Sequence, residues 1–154
     1  MPQQIAAGII IYRKTKEGIK FLFLYRGRDY WNFPKGKMEA QEKSWQTAFR
    51  EIREETGLKS TDLKIEQNFK TYEKFTFRIN KERIFKTVIF YLAETHEPHI
   101  VISPREHEGY AWFTYNEAQK ALSNKYRDTI KALKKANDFL RAKSLRHNPT
   151  HFPR

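Results

Sequence analysis

The chain has no cysteine among its 154 residues, which excludes disulfides, thiolate metal sites and cysteine nucleophiles. A reducing compartment is compatible with that, and the cytoplasm is the expected location. No stretch approaches the roughly 20 apolar residues that a membrane-spanning helix requires, so no membrane partner is expected. The opening residues carry no basic segment ahead of a short apolar run, and they read as a strand rather than a signal peptide. Repeats and interdomain linkers are also missing, so one compact unit is expected. Acidic residues are in deficit, 18 against 30 basic ones, for a net charge of +12. That imbalance favours polyanionic ligands such as nucleotides, polyphosphates or RNA.

Within this basic chain one segment concentrates acid. Residues 36–58 contain Glu51, Glu54 and Glu55, three and four residues apart in a run of good helix formers. At 3.6 residues per turn the three carboxylates share one side of a helix. Unpaired, they repel one another; a hard divalent cation such as Mg²⁺ or Mn²⁺ would neutralise them through oxygen ligands. Trp45, Ala48, Phe49 and Ile52 recur at helical spacing and form a stripe expected to pack on the core. Arg50 is within reach of Glu42 or Glu54. Gly57 is placed to close the helix in a left-handed conformation. Phe33-Pro34-Lys35-Gly36 ahead of it reads as a tight loop whose glycine admits close backbone approach.

Elsewhere, strands and helices alternate. Residues 5–13 and 19–25 predict one hairpin, and 63–77 with 83–93 a second, turning near Asn80-Lys81-Glu82. Short strands are expected at 100–103 and 110–113, flanking a charged loop from Pro104 to Gly109. A short helix is expected over 115–123. A longer one, over 127–143, carries Ile130, Leu133, Ala136 or Asn137, and Leu140 on one face. Residues 144–154 read as a flexible tail, with His147 and His151 solvated.

The positions Gly36, Glu42, Arg50, Glu51, Ile52, Glu54, Glu55, Gly57 and Leu58 fill the pattern of the Nudix box, so the chain resembles the Nudix hydrolase family. The resemblance implies a mixed sheet between helices, an α/β/α sandwich, with residues 1–143 as the domain. Trp31-x-x-Pro34-Lys35-Gly36, the run from Lys86 to Ala93, Glu106-His107-x-x-Tyr110-x-Trp112 and the segment from Ala132 to Leu140 are similar to asymmetrical diadenosine tetraphosphate hydrolases. In that reading Glu51, Glu54 and Glu55, with the Gly36 carbonyl and Glu106, hold Mg²⁺ or Mn²⁺, and Glu54 or Glu55 takes a proton from water. Arg50 holds a carboxylate in place, and Lys35 and Lys86 bind the remaining phosphates. A base would stack on an exposed ring, with Phe75, Phe77, Tyr110 and Phe139 as candidates and Phe139 and Tyr110 favoured. His107 either contacts substrate or packs under its loop. The substrate implied is a small nucleoside polyphosphate, cleaved to ATP and AMP when it is diadenosine tetraphosphate. An RNA 5′ end is the alternative substrate, and a non-catalytic nucleotide or RNA sensor the alternative function class. Oligomeric state is not legible in the sequence.

Overall fold

A computed structural model describes residues 2–122 and 126–147. Its elements, in chain order, are β1 (Gln3–Thr15), β2 (Gly18–Tyr25), β3 (Trp31–Asn32), β4 (Lys35–Lys37) and α1 (Ser44–Thr56). They continue as β5 (Leu63–Ile65), β6 (Thr71–Ile79), β7 (Glu82–Thr95), β8 (Gly109–Thr114), α2 (Tyr115–Ala121) and α3 (Arg127–His147).

Strand β1 organises the sheet. Ala6 to Tyr12 are all buried, as expected of a strand covered on both faces. β1 runs parallel to β7 from Gln3↔Phe85 to Tyr12↔Glu94. Its other edge is shared: β2 pairs antiparallel with residues 12–15, and β4 with residues 6–8. Alternation along β1 then builds two cores. Ala6, Ile10 and Tyr12 face α2 and α3, where Leu133, Ala136 and Leu140 are buried. Ala7, Ile9 and Ile11 face α1, where Ala48 and Ile52 are buried. The result is a mixed sheet between helical layers, an α/β/α sandwich.

Several local expectations are corrected. The span 63–77 is not one strand: residues 66–70 interrupt it, with Asn68 at φ 69°, so β5 and β6 pair with different ends of β7. Residues 100–103 form no strand; Ile100 instead inserts beneath α1, and the Val101 N–H donates to the Thr56 carbonyl at 2.9 Å. Helix α3 runs to His147, four residues beyond its expected end, so the first part of the expected tail is helical. The remainder, 148–154 with His151, lies outside the described residues, as does Ser123. Trp45 leaves the predicted apolar stripe and is 50% exposed. No described helix is long and apolar enough to cross a membrane.

Candidate active site

Helix α1 is fastened at both ends. The Lys43 N–H donates to Gln46 Oε1 at 2.8 Å, and Gly57 closes the C-terminus at φ 77° with its N–H on the Arg53 carbonyl. Burying Ile52 and Ala48 turns the acidic side toward β4. There Gly36 leaves the space that the Glu51 carboxylate fills, since a Cβ at this position would displace that carboxylate.

The three carboxylates differ in environment. Glu55 is 6% exposed, and its Oε1 accepts from the Lys35 N–H at 3.1 Å. Burial first, then the charges of Glu106 and Glu51, push its pKa up to about 8. Burial also raises Glu51, against the opposing pull of Arg50. Glu54 is open, its side chain 56% exposed.

Arg50 is the hub of this cluster. Its guanidinium donates to Glu42 at 2.7 and 3.0 Å, to Glu51 at 2.8 Å and to the Lys37 carbonyl at 3.0 Å, with Glu54 at 3.4 Å. The Glu42 hydrogen bonds hold that carboxyl down near a pKa of about 2. Arg50 thus ties α1 to β4 and to the loop between them.

The loop before β8 completes the cluster. The Glu106 and His107 N–H groups both donate to the Ser103 carbonyl, and this turn sets Glu106 and His107 beside Glu55. Ligand atoms of these three side chains lie within 4.8 Å of one another. His107 is 3% exposed, and its Nδ1 has no hydrogen-bond partner. Burial and the neighbouring Arg26 and Lys35 lower its pKa, so it is neutral and free to accept or ligate. The buried Glu55 carboxylate facing the exposed Glu106 carboxylate beside a neutral imidazole forms a donor set suited to a divalent cation.

Next to this acid lies a basic cleft. Lys86 is half-buried and close enough to Lys35, Lys37 and Arg26 that burial and their charges bring its pKa down to about 8. Glu73, 7% exposed, faces Lys35 and Lys86 and stays above the usual carboxyl range because of its burial. A cavity of about 420 Å³ adjoins it, lined by Tyr30, Glu73, Phe75, Tyr126 and residues 127–129. Tyr30 and Tyr126 stack with ring centroids 5.1 Å apart.

Of the four rings expected to stack a base, the cleft receives Phe75, which lies under the Lys86 ammonium at 5.8 Å. Phe77 sits one step further along the same face, 6.3 Å from Phe75. Tyr110 is exposed on β8 opposite Leu24, on the α1 face of the sheet. Phe139 is not brought to the cleft: it packs edge-on against Phe69 at 5.4 Å, about 18 Å along α3 from Arg127. Sequence reasoning missed Arg26, Lys37, Tyr30, Glu73 and Tyr126. Their local sequence is unremarkable, and they meet only where the β2–β3 turn, β4, β6 and the start of α3 come together.

The pattern of the NUDIX domain matches residues 2–133. The chain belongs to the Nudix family. Two relatives, from Mus musculus and Caenorhabditis elegans, both named asymmetrical bis(5′-nucleosyl)-tetraphosphatase, bear this out. The mouse protein is 34% identical over 73% of this chain and 80% of its own length, and the nematode protein 31% identical over 88% and 95%. Among solved structures, a C. elegans Ap4A hydrolase binary complex superposes with a TM-score of 0.76 at 30% identity. It covers 90% of this chain and 98% of its own.

Proposed function

We propose that this Nudix hydrolase cleaves dinucleoside tetraphosphates asymmetrically, diadenosine tetraphosphate giving ATP and AMP. The observation that carries the reading is the abutment of three features in one cleft: an acidic cluster, a lysine pair and an aromatic-walled cavity. A polyphosphate with a base at its end requires all three. The kinship with tetraphosphatases along most of both chains supports the same substrate.

Glu51, Glu54, Glu55 and Glu106, with the Gly36 carbonyl, would hold Mg²⁺, which lowers the pKa of a bound water and neutralises phosphate oxygens. Mn²⁺ suits the same oxygen donors. Arg50 fixes the Glu51 and Glu42 carboxylates so that they do not swing away from one another. Lys35 and Lys86 hold the phosphates beyond the one attacked, and their crowding is relieved when those anions arrive. Glu73 keeps the pair from repelling itself out of the cleft. The attacking water passes its proton to a carboxylate of the cluster, either Glu54 or Glu55. Phe75, Tyr30 and Tyr126 offer the base its walls, with Phe77 behind Phe75.

The test is hydrolysis of diadenosine tetraphosphate with Mg²⁺ in ¹⁸O-labelled water, with products resolved by chromatography. ATP and AMP with a single labelled phosphate support the reading. Two ADP molecules overturn the binding register. Tight nucleotide binding with no turnover at any divalent cation would make the protein a sensor instead.

A further inference from the structure

The β6–β7 hairpin has two faces, and the cleft uses one. Register puts Glu73, Phe75, Phe77 and Lys86 on the cleft side. The opposite side carries Tyr72, Lys74, Thr76 and Arg78 from β6, facing Ile89, Thr87, Phe85 and Arg83 from β7. Every charged residue in this set is basic. Tyr72 is 47% exposed, with the Lys74 ammonium 5.8 Å from its ring centre. Lys70 continues the row, 5.5 Å from the Tyr91 ring. At the tip, Asn80 and Lys81 both adopt left-handed backbone, the two-residue turn of a tight hairpin, and Lys81 adds a further charge there.

Two features of this face lack a structural reason. Arg78 and Arg83 are directly opposed across the strands, a like-charge pair that costs stability. Cations on an exposed edge strand deter strand addition, which accounts for Lys74 and Arg78. It does not account for Arg83 on the partner strand, nor for an exposed tyrosine set among the cations.

We propose that this outer face of the hairpin binds single-stranded nucleic acid. Opposed arginines and interleaved lysines match a row of phosphates, and the bound polyanion removes the Arg78–Arg83 repulsion. Tyr72, with the half-buried Phe85 further along the same face opposite Thr76, supplies flat surface on which unpaired bases stack. A duplex, whose bases are already stacked, would leave the rings unused. From Lys70 to Arg78 the row spans about 26 Å at strand rise, enough for several nucleotides. Because the face lies behind the strand that carries Lys86, binding there leaves the hydrolytic cleft open. The inference does not depend on which polyphosphate that cleft takes.

The experiment is fluorescence anisotropy of a labelled 12-nucleotide oligouridylate with the full chain, at several salt concentrations. Three variants are compared: the triple change Lys74→Gln, Arg78→Gln, Arg83→Gln; Tyr72→Ala alone; and Lys86→Met in the cleft. The triple change should weaken binding at least 10-fold and lower the salt slope by about 2, at ~0.7 per lost phosphate contact. Tyr72→Ala should cost roughly 5- to 150-fold. Dinucleoside tetraphosphate hydrolysis and melting temperature should stay as in the wild type for Tyr72→Ala, which keeps the test decisive if the triple variant is poorly folded. Unchanged affinity in Tyr72→Ala overturns the proposal. So does a loss seen only in Lys86→Met, which would put the oligonucleotide in the cleft, or binding to phosphatidylserine vesicles but not to oligouridylate.

Discussion

Lys86 shows at a single residue how a binding site costs the fold something. Its ammonium is half-buried and shares the cleft with Lys35, Lys37 and Arg26, with Glu73 opposing them. With a folded pKa of about 8 against about 10.5 unfolded, the charged form is disfavoured in the native state, so the penalty is present below pH 8 and disappears as pH rises toward 10.5. Lys86→Met should therefore stabilise the substrate-free protein at pH 7, on the order of 1 kcal/mol once solvent screening is allowed for, as read by urea titration. The same variant should raise KM for a dinucleoside tetraphosphate. In the wild type KM should climb as pH passes about 8, and that limb should be missing from Lys86→Met. The carboxylates give the complementary test. Glu55→Gln or Glu54→Gln keeps the side-chain shape but removes a charged oxygen, and turnover should fall about 10²- to 10³-fold with the melting curve intact.

Helix α1 divides its labour between a core stripe, an acidic side and the Arg50 hub. Ile52 is wholly buried, so Ile52→Ala should cost about 2–5 kcal/mol in chemical denaturation. Trp45→Ala should cost about 0.5 kcal/mol or less, although both residues fit the same helical periodicity. That contrast shows what the sequence could and could not disclose. Spacing identifies a helix and one apolar side, but not which residue of that side stays in solvent. The box positions were legible because local spacing alone aligns Glu51, Glu54 and Glu55 and puts Arg50 near Glu42. Glu106 and His107 needed the turn on Ser103, and the cavity needed β2–β3 and α3 to meet, so Tyr30, Glu73 and Tyr126 were hidden. Phe139 misled because an aromatic in an amphipathic helix looks alike whether it meets a ligand or Phe69. Arg50→Ala would leave Glu42 and Glu51 partly buried without their counter-charge. It should lower stability and activity with it, as read by urea titration and turnover, Arg50→Lys recovering only part of either, since an ammonium cannot span the same acceptors.

For the whole molecule, the uneven charge makes stability depend on what is bound. A chain of net charge +12 repels itself, yet one helix and one loop bring Glu51, Glu55 and Glu106 close enough that their charges, added to burial, push the Glu55 pKa up to about 8. A divalent cation seated among them binds the folded chain only, because unfolding scatters α1, β4 and the β8 loop. It should therefore act as a stabiliser by mass action, about 2.7 kcal/mol at a hundredfold excess over its Kd. For a domain of this size that corresponds to a rise of roughly 5–10 °C in Tm. The measurement is a melting series on protein stripped with chelator and then titrated with MgCl₂ or MnCl₂ at constant ionic strength. The Tm should rise in the wild type and stay flat in the double variant Glu51→Gln, Glu55→Gln. An equal rise with KCl, or in the double variant, would trace the effect to general screening of the basic surface and remove the cation from the carboxylate cluster.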